Sequence, residues 1–225
     1  KFGTPLYVFD EADFRDTCRE FRREFESRWP EVRVAYAAKA FLSRGLARII
    51  AEEGLGMDVV SGGELAAARS AGFPSDRVYF HGNNKLPAEL DFALGGDGIG
   101  HVVVDNFFEL ETLEALAAAR GVRQPVLLRI SPNVDPHTHA KTTTGVLDSK
   151  FGFAIATGDA ERAVQLAQEA PHLDLRGLHV HLGSPIFELE PFIEASEVVA
   201  GFAAQMGDTH NFELREYSPG GGFAL

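Results

Sequence analysis

Val32-Arg33-Val34-Ala35-Tyr36-Ala37-Ala38-Lys39 is the stretch whose reading decides the fold. The run from Val32 to Ala37 is β-branched, aromatic or small at nearly every position, which predicts a strand. The exit from that strand discriminates between architectures. A doubly wound parallel sheet usually leaves its first strand through a glycine-rich turn. Here the strand runs directly into Ala38-Lys39, with no glycine.

The same unit then recurs. Further strands are predicted at Met57–Val60, Val78–Phe80, Val102–Val104, Val126–Ile130, Leu178–His181 and Leu214–Tyr217. Amphipathic segments separate them. Phe14, Cys18, Phe21, Phe25 and Trp29 fall on one face of a helix that Asp10 can cap. A second helix is expected over Ser43–Glu53, with Gly54 behind it, and a third from Gly63 to Gly72. A fourth opens on Pro87 and stops near Gly95, and a fifth carries Phe107, Leu110, Leu113 and Leu116 to Gly121. Asp159–Glu169 and Glu190–Met206 complete the set. The early repeat of about 21–25 residues holds one strand, one helix and two short loops. The fold class is therefore α/β, and regular alternation predicts a parallel (β/α)8 TIM barrel over residues 1–225 as one domain. Seven strands are counted, so the eighth is expected beyond residue 225. A long loop is expected from Ser131 to about Phe151.

Composition narrows the function. Lys plus Arg number 21 against 33 Asp plus Glu, a formal charge of −12, which disfavours nucleic acid as a partner. A local basic pocket for one phosphate remains compatible with it. Cys18 is the single cysteine, so no intrachain disulfide and no cysteine-based zinc cluster is available. No apolar run reaches the ~20 residues that span a bilayer. These features predict a soluble, cytoplasmic chain with no membrane partner.

Chemistry-bearing residues gather at the predicted C-terminal strand ends, the face on which barrel enzymes build their sites. Lys39 closes the first strand; it is either a surface lysine or a desolvated amine suited to Schiff-base chemistry. Asp58 lies within an apolar strand and needs a partner or ligand to offset burial, and Glu64 can simply complement a helix N-terminus. His81, Asn83, Asn84 and Lys85 form a polar cluster after the third strand. In His179-Val180-His181-Leu182-Gly183-Ser184 the two imidazoles share one face of a strand, and Ser184 can donate to an anion. Two histidines on a strand also form half a metal site, with His137 and His139 as the other half, but that reading leaves Lys39 unexplained. Gly220-Gly221-Gly222 comes after the seventh strand, where barrels commonly bind phosphate; a flexible turn is the alternative.

Taken in order, Thr4-Pro5-Leu6-Tyr7-Val8, Tyr36-Ala37-Ala38-Lys39-Ala40, Asp58 with Glu64, His179 to Ser184 and the glycine run resemble the alanine-racemase-like, fold type III pyridoxal-phosphate decarboxylases. Within that family, His81-Gly82-Asn83-Asn84-Lys85, Pro136-His137-Thr138-His139, Thr144-Gly145, Lys150-Phe151-Gly152 and Ile186-Phe187-Glu188 resemble the diaminopimelate-decarboxylase branch. The resemblance implies pyridoxal 5'-phosphate as cofactor, no catalytic metal, and removal of CO2 from meso-2,6-diaminopimelate to give L-lysine. It implies that Lys39 carries the cofactor and that His181 stacks on its ring. Ser184, Gly220, Gly221 and Gly222 would hold the phosphate, Arg129 would lie near the ring hydroxyl, and Asp58 beside the reactive carbon. It further implies a C-terminal β domain outside residues 1–225 and a homodimer with shared active sites. Ornithine, arginine and carboxynorspermidine decarboxylases share the barrel motifs, and a non-catalytic pyridoxal-phosphate protein on the same barrel is a second class of reading.

Overall fold

A computed structural model describes residues 2–29, 31–134 and 151–224. The motifs at Pro136–His139, Thr144-Gly145 and Lys150 lie outside the described residues. Helix α1 spans Glu11–Glu26, and Asp10 caps it through bonds from Ala12 N and Asp13 N. Trp29, expected on the same helix, lies past its end and is exposed. Then come β1 (Ala35–Ala37), α2 (Arg44–Glu52), β2 (Gly56–Val59), α3 (Gly62–Ser70), β3 (Val78–Phe80), α4 (Pro87–Leu94), β4 (His101–Val104), α5 (Phe107–Arg120) and β5 (Gln124–Ser131). The chain continues through β6 (Phe153–Ala154), α6 (Asp159–Glu169), β7 (Leu173–His179), α7 (Glu190–His210) and β8 (Glu216–Ser218).

The sheet runs β1-β2-β3-β4-β5-β7-β8, with β6 paired to β5 off this path. Every strand pairing among the described residues is parallel. An order that tracks the chain has no switch point, so a doubly wound sheet is excluded. The sheet is also curled. β4 and β8 stand three places apart in it, about 14 Å if flat. Yet His101 Nε2 on β4 lies 3.0 Å from Glu216 Oε1 on β8. At the opposite end the rings of His81, just after β3, and His179, on β7, are 4.7 Å apart. Only a barrel wall brings both ends of such distant strands together.

Several boundaries differ from expectation. β7 begins at Leu173, five residues before the predicted start, because charged residues interrupt its apolar pattern. It also ends at His179, so His181 lies beyond the paired strand. α7 continues past Met206 to His210 and stops at Asn211, whose φ is 53°. Helices α2 to α6 pack apolar faces such as Leu46, Ile50, Leu65, Leu90, Leu113 and Val164 onto the sheet, whose own Met57, Phe80, Val102, Leu128 and Leu178 are fully buried. Two acids join α1 to the barrel: Arg15 and Arg19 both grip Glu53, Arg15 also pairs with Glu52, and Arg22 donates to the Glu53 carbonyl.

Candidate active site

All predicted site residues in the described parts of the chain meet at the C-terminal ends of the strands. Lys39 sits in the turn just after β1, exposed to solvent. That turn is pinned by Ala38 N, which donates to Asp58 O at 2.9 Å. Asp58, on β2, is 30% exposed at its side chain, and its Oδ1 stands 3.4 Å from His81 Nε2. Asp58 is thus only partly buried, with His81 as its neighbour. Glu64 is a cap: its amide bonds Ser61 Oγ and its carboxylate accepts from Val60 N at 2.7 Å.

Across the barrel mouth, His179 is buried and its Nδ1 lies 2.9 Å from Ser218 Oγ. Burial, with His81 beside it, pushes the His179 pKa well below the usual histidine range. Burial also lowers His181, to about 4, with the charges of Arg129 and Lys39 adding to the effect and Asp58 opposing it. His181 is therefore a neutral, flat ring at pH 7 within electrostatic reach of Lys39, Asp58, His81 and Arg129. Arg129 projects from β5, and its Nη1 meets Asp105 Oδ1 at 3.0 Å.

The glycine run separates into two kinds of position. Gly220 and Gly222 have φ of 82° and 90°, and a Cβ on either would overlap the carbonyl of Val180 or of Gly183. The fold itself demands glycine there. Gly221 differs, because a Cβ there meets nothing within 4 Å. The space in front of Gly221 suits a ligand that must approach the backbone closely. Ser184 lies alongside: its Cβ is 3.2 Å from where a Gly222 Cβ would stand. Ile186 N donates to Gly222 O at 2.8 Å and Ala224 N to Ile186 O at 3.0 Å, so the loop bearing Ser184 and the glycine run are one unit.

Sequence reasoning missed Asp105 and Glu109. Asn106 and Glu109 match an ordinary helix-start pattern, and Asn106 does cap α5, so nothing in that pattern singles out its carboxylate. His137 and His139, the other half of the metal reading, lie outside the described residues. Among the described residues no group of three or more His, Cys, Asp or Glu is placed to hold a metal ion.

A parallel barrel wall gathers a lysine, a neutral imidazole, a supported arginine and an open glycine position at its strand tips. The chain belongs to the pyridoxal-dependent decarboxylases: the model of that family's pyridoxal binding domain matches residues 11–225. It is 45% identical over 225 residues to diaminopimelate decarboxylase of Bacillus subtilis, covering all of this chain and 51% of the relative. It is 47% identical over 225 residues to the protein of that name from Actinosynnema pretiosum, covering 49% of it. The chain thus spans about half the length of these curated relatives. Among solved structures, diaminopimelate decarboxylase from Helicobacter pylori complexed with L-lysine superposes with a TM-score of 0.90 at 31% identity, covering 100% of this chain and 56% of that one. Diaminopimelate decarboxylase from M. jannaschi gives a TM-score of 0.88 at 33% identity, covering 100% of this chain and 52% of that one.

Proposed function

We propose that the protein containing this chain decarboxylates meso-2,6-diaminopimelate to L-lysine and CO2 with pyridoxal phosphate. Identity above 40% to proteins of that one activity, spread along the whole chain, carries the reading. The neutral ring, the amine and the open glycine position are what such a cofactor requires of its site.

Lys39 holds the cofactor covalently through its amine. Asp58, whose Oδ1 stands 3.4 Å from His81 Nε2, would place a carboxylate beside that amine. His181 presents an uncharged face to the pyridine ring, so stacking costs no buried cation. Ser184 and the amides of Gly220, Gly221 and Gly222 would hold the phosphate, and Arg129 would serve the ring hydroxyl. Bound pyridoxal phosphate supplies an electron sink for the pair left when CO2 departs. The family resemblance supports a C-terminal β domain outside residues 1–225. The family resemblance supports a homodimer with shared active sites, and a biosynthetic amino-acid substrate supports a cytoplasmic location. No helix among the described residues is long and apolar enough to cross a membrane.

The test is CO2 release from meso-diaminopimelate, ornithine and arginine by the full-length protein loaded with pyridoxal phosphate. Turnover of diaminopimelate, with L-lysine as the product, is expected. Turnover of ornithine or arginine without diaminopimelate would overturn the substrate assignment.

A further inference from the structure

Glu64, Glu89 and Glu109 are each the third residue of their helix, in α3, α4 and α5. Each returns an oxygen to a backbone amide in front of its helix: Val60 N at 2.7 Å, Leu86 N at 3.0 Å and Asp105 N at 3.4 Å. Capping accounts for Glu64 and Glu89, which keep part of their surface in water. It does not account for Glu109. That residue is 2% exposed, makes the longest of the three bonds, and turns Oε1 to Lys85 Nζ at 2.9 Å. The Lys85 side chain is wholly buried. Removing an ion pair from water is expensive, and a cap has no use for one.

The pair extends into a chain of charge. Lys85 Nζ also lies 2.6 Å from Gly82 O and 2.9 Å from Val103 O, so one ammonium joins the loop after β3, the tip of β4 and the first turn of α5. Glu109 holds the Asp105 amide. Asp105, 4% exposed, offers Oδ1 to Arg129 Nη1 at 3.0 Å and Oδ2 to Gly152 N at 3.2 Å. The formal charges of Lys85, Glu109, Asp105 and Arg129 therefore sum to zero, although burial pushes the Glu109 pKa up to about 7 and lowers that of Lys85. Three of the four are buried, and Arg129 is the member whose charge acts on His181.

We propose that Lys85, Glu109 and Asp105 are positioning residues that hold the Arg129 guanidinium at the cofactor-binding face. The proposal rests on the reading of that face as a pyridoxal-phosphate site. A long arginine side chain has many rotamers, and a carboxylate fixed at both oxygens removes most of them. Lys85 locks Glu109, Glu109 locks the Asp105 backbone, and Asp105 then has one direction in which to point.

The test is a double-mutant cycle on the full-length protein, read as the dissociation constant of pyridoxal phosphate added to cofactor-free protein. Arg129→Gln, Asp105→Asn and Lys85→Met should each weaken binding by about tenfold, the effect of one misplaced charged contact. In the Arg129→Gln background, Lys85→Met should add less than about twofold, because its effect passes through the arginine. An equal loss in both backgrounds would show a general structural role and overturn the proposal. So would unchanged affinity in both Asp105→Asn and Lys85→Met. Unchanged affinity in Arg129→Gln overturns it at its outer end, whereas failure of the pyridoxal reading itself would show as no binding by the parent protein. If Lys85→Met does not fold, as judged by its thermal transition, Glu109→Gln completes the same cycle.

Discussion

His179 Nδ1 and Ser218 Oγ are 2.9 Å apart, a hydrogen bond that joins the tips of β7 and β8 inside the barrel. His179 is 4% exposed, so this hydroxyl satisfies a ring nitrogen that has little access to water. The same hydroxyl lies 3.4 Å from Gly220 N and so steadies the start of the glycine run. Ser218→Ala should cost about 1–3 kcal/mol, the penalty for an orphaned buried polar atom. Urea unfolding measures it, and a midpoint equal to that of the parent would contradict the assignment.

Acid should destabilise the cofactor-free protein through its two neutral histidines. His179 and His181 both have folded pKa values below the ordinary 6.5, the latter about 4. Below pH ~6.5 the unfolded chain takes up protons that the folded chain refuses, so stability falls as pH falls. For His181 the loss between about pH 6.5 and 4 is on the order of 3 kcal/mol. His181→Phe keeps the flat ring without the proton, and its stability should fall less steeply over that window. Parallel pH profiles for parent and variant would remove His181 from the account.

The glycine run gives opposite expectations for adjacent residues. Gly220→Ala places a Cβ on the Val180 carbonyl at positive φ and should cost folding stability, about 1–3 kcal/mol or more. Gly221→Val has open space, so its thermal transition should match the parent while pyridoxal phosphate binds more weakly. Ser184→Ala, at an exposed position, should weaken the cofactor by about 0.5–1.5 kcal/mol. Thermal melts paired with cofactor titrations separate these effects. Unchanged affinity in Gly221→Val would reject the phosphate cup.

Helix starts and stops are legible in the sequence because their signals are local. Asp10, Ser43, Pro87 and Gly121 each stand where a cap, a first-turn proline or a left-handed stop is expected. Strand edges are less legible, because pairing depends on neighbours far along the chain. Val32 to Val34 have strand composition, yet β1 pairs β2 only from Ala35. Leu173 to Gly177 look too polar for a core strand, yet they pair β5 and β8. Gly177 explains part of this, since a Cβ there would overlap the Glu216 carbonyl of the neighbouring strand. Lys39, Asp58, Arg129 and His181 are visible as polar residues at or near strand ends. Asp105 and Glu109 are not, because a capping carboxylate and a buried counter-ion share one sequence pattern. Only the position of Lys85, on another loop, tells them apart.

The strand-tip face is expected to be a pyridoxal-phosphate site anchored on Lys39. Borohydride reduction of the cofactor-loaded full-length protein, with peptide mapping of the product, tests it most directly. The pyridoxyl group should be found on the peptide carrying Tyr36-Ala37-Ala38-Lys39. Lys85 is sealed among Gly82 O, Val103 O and Glu109 and should remain unlabelled. A label on Lys85, or on any lysine other than Lys39, would contradict the account.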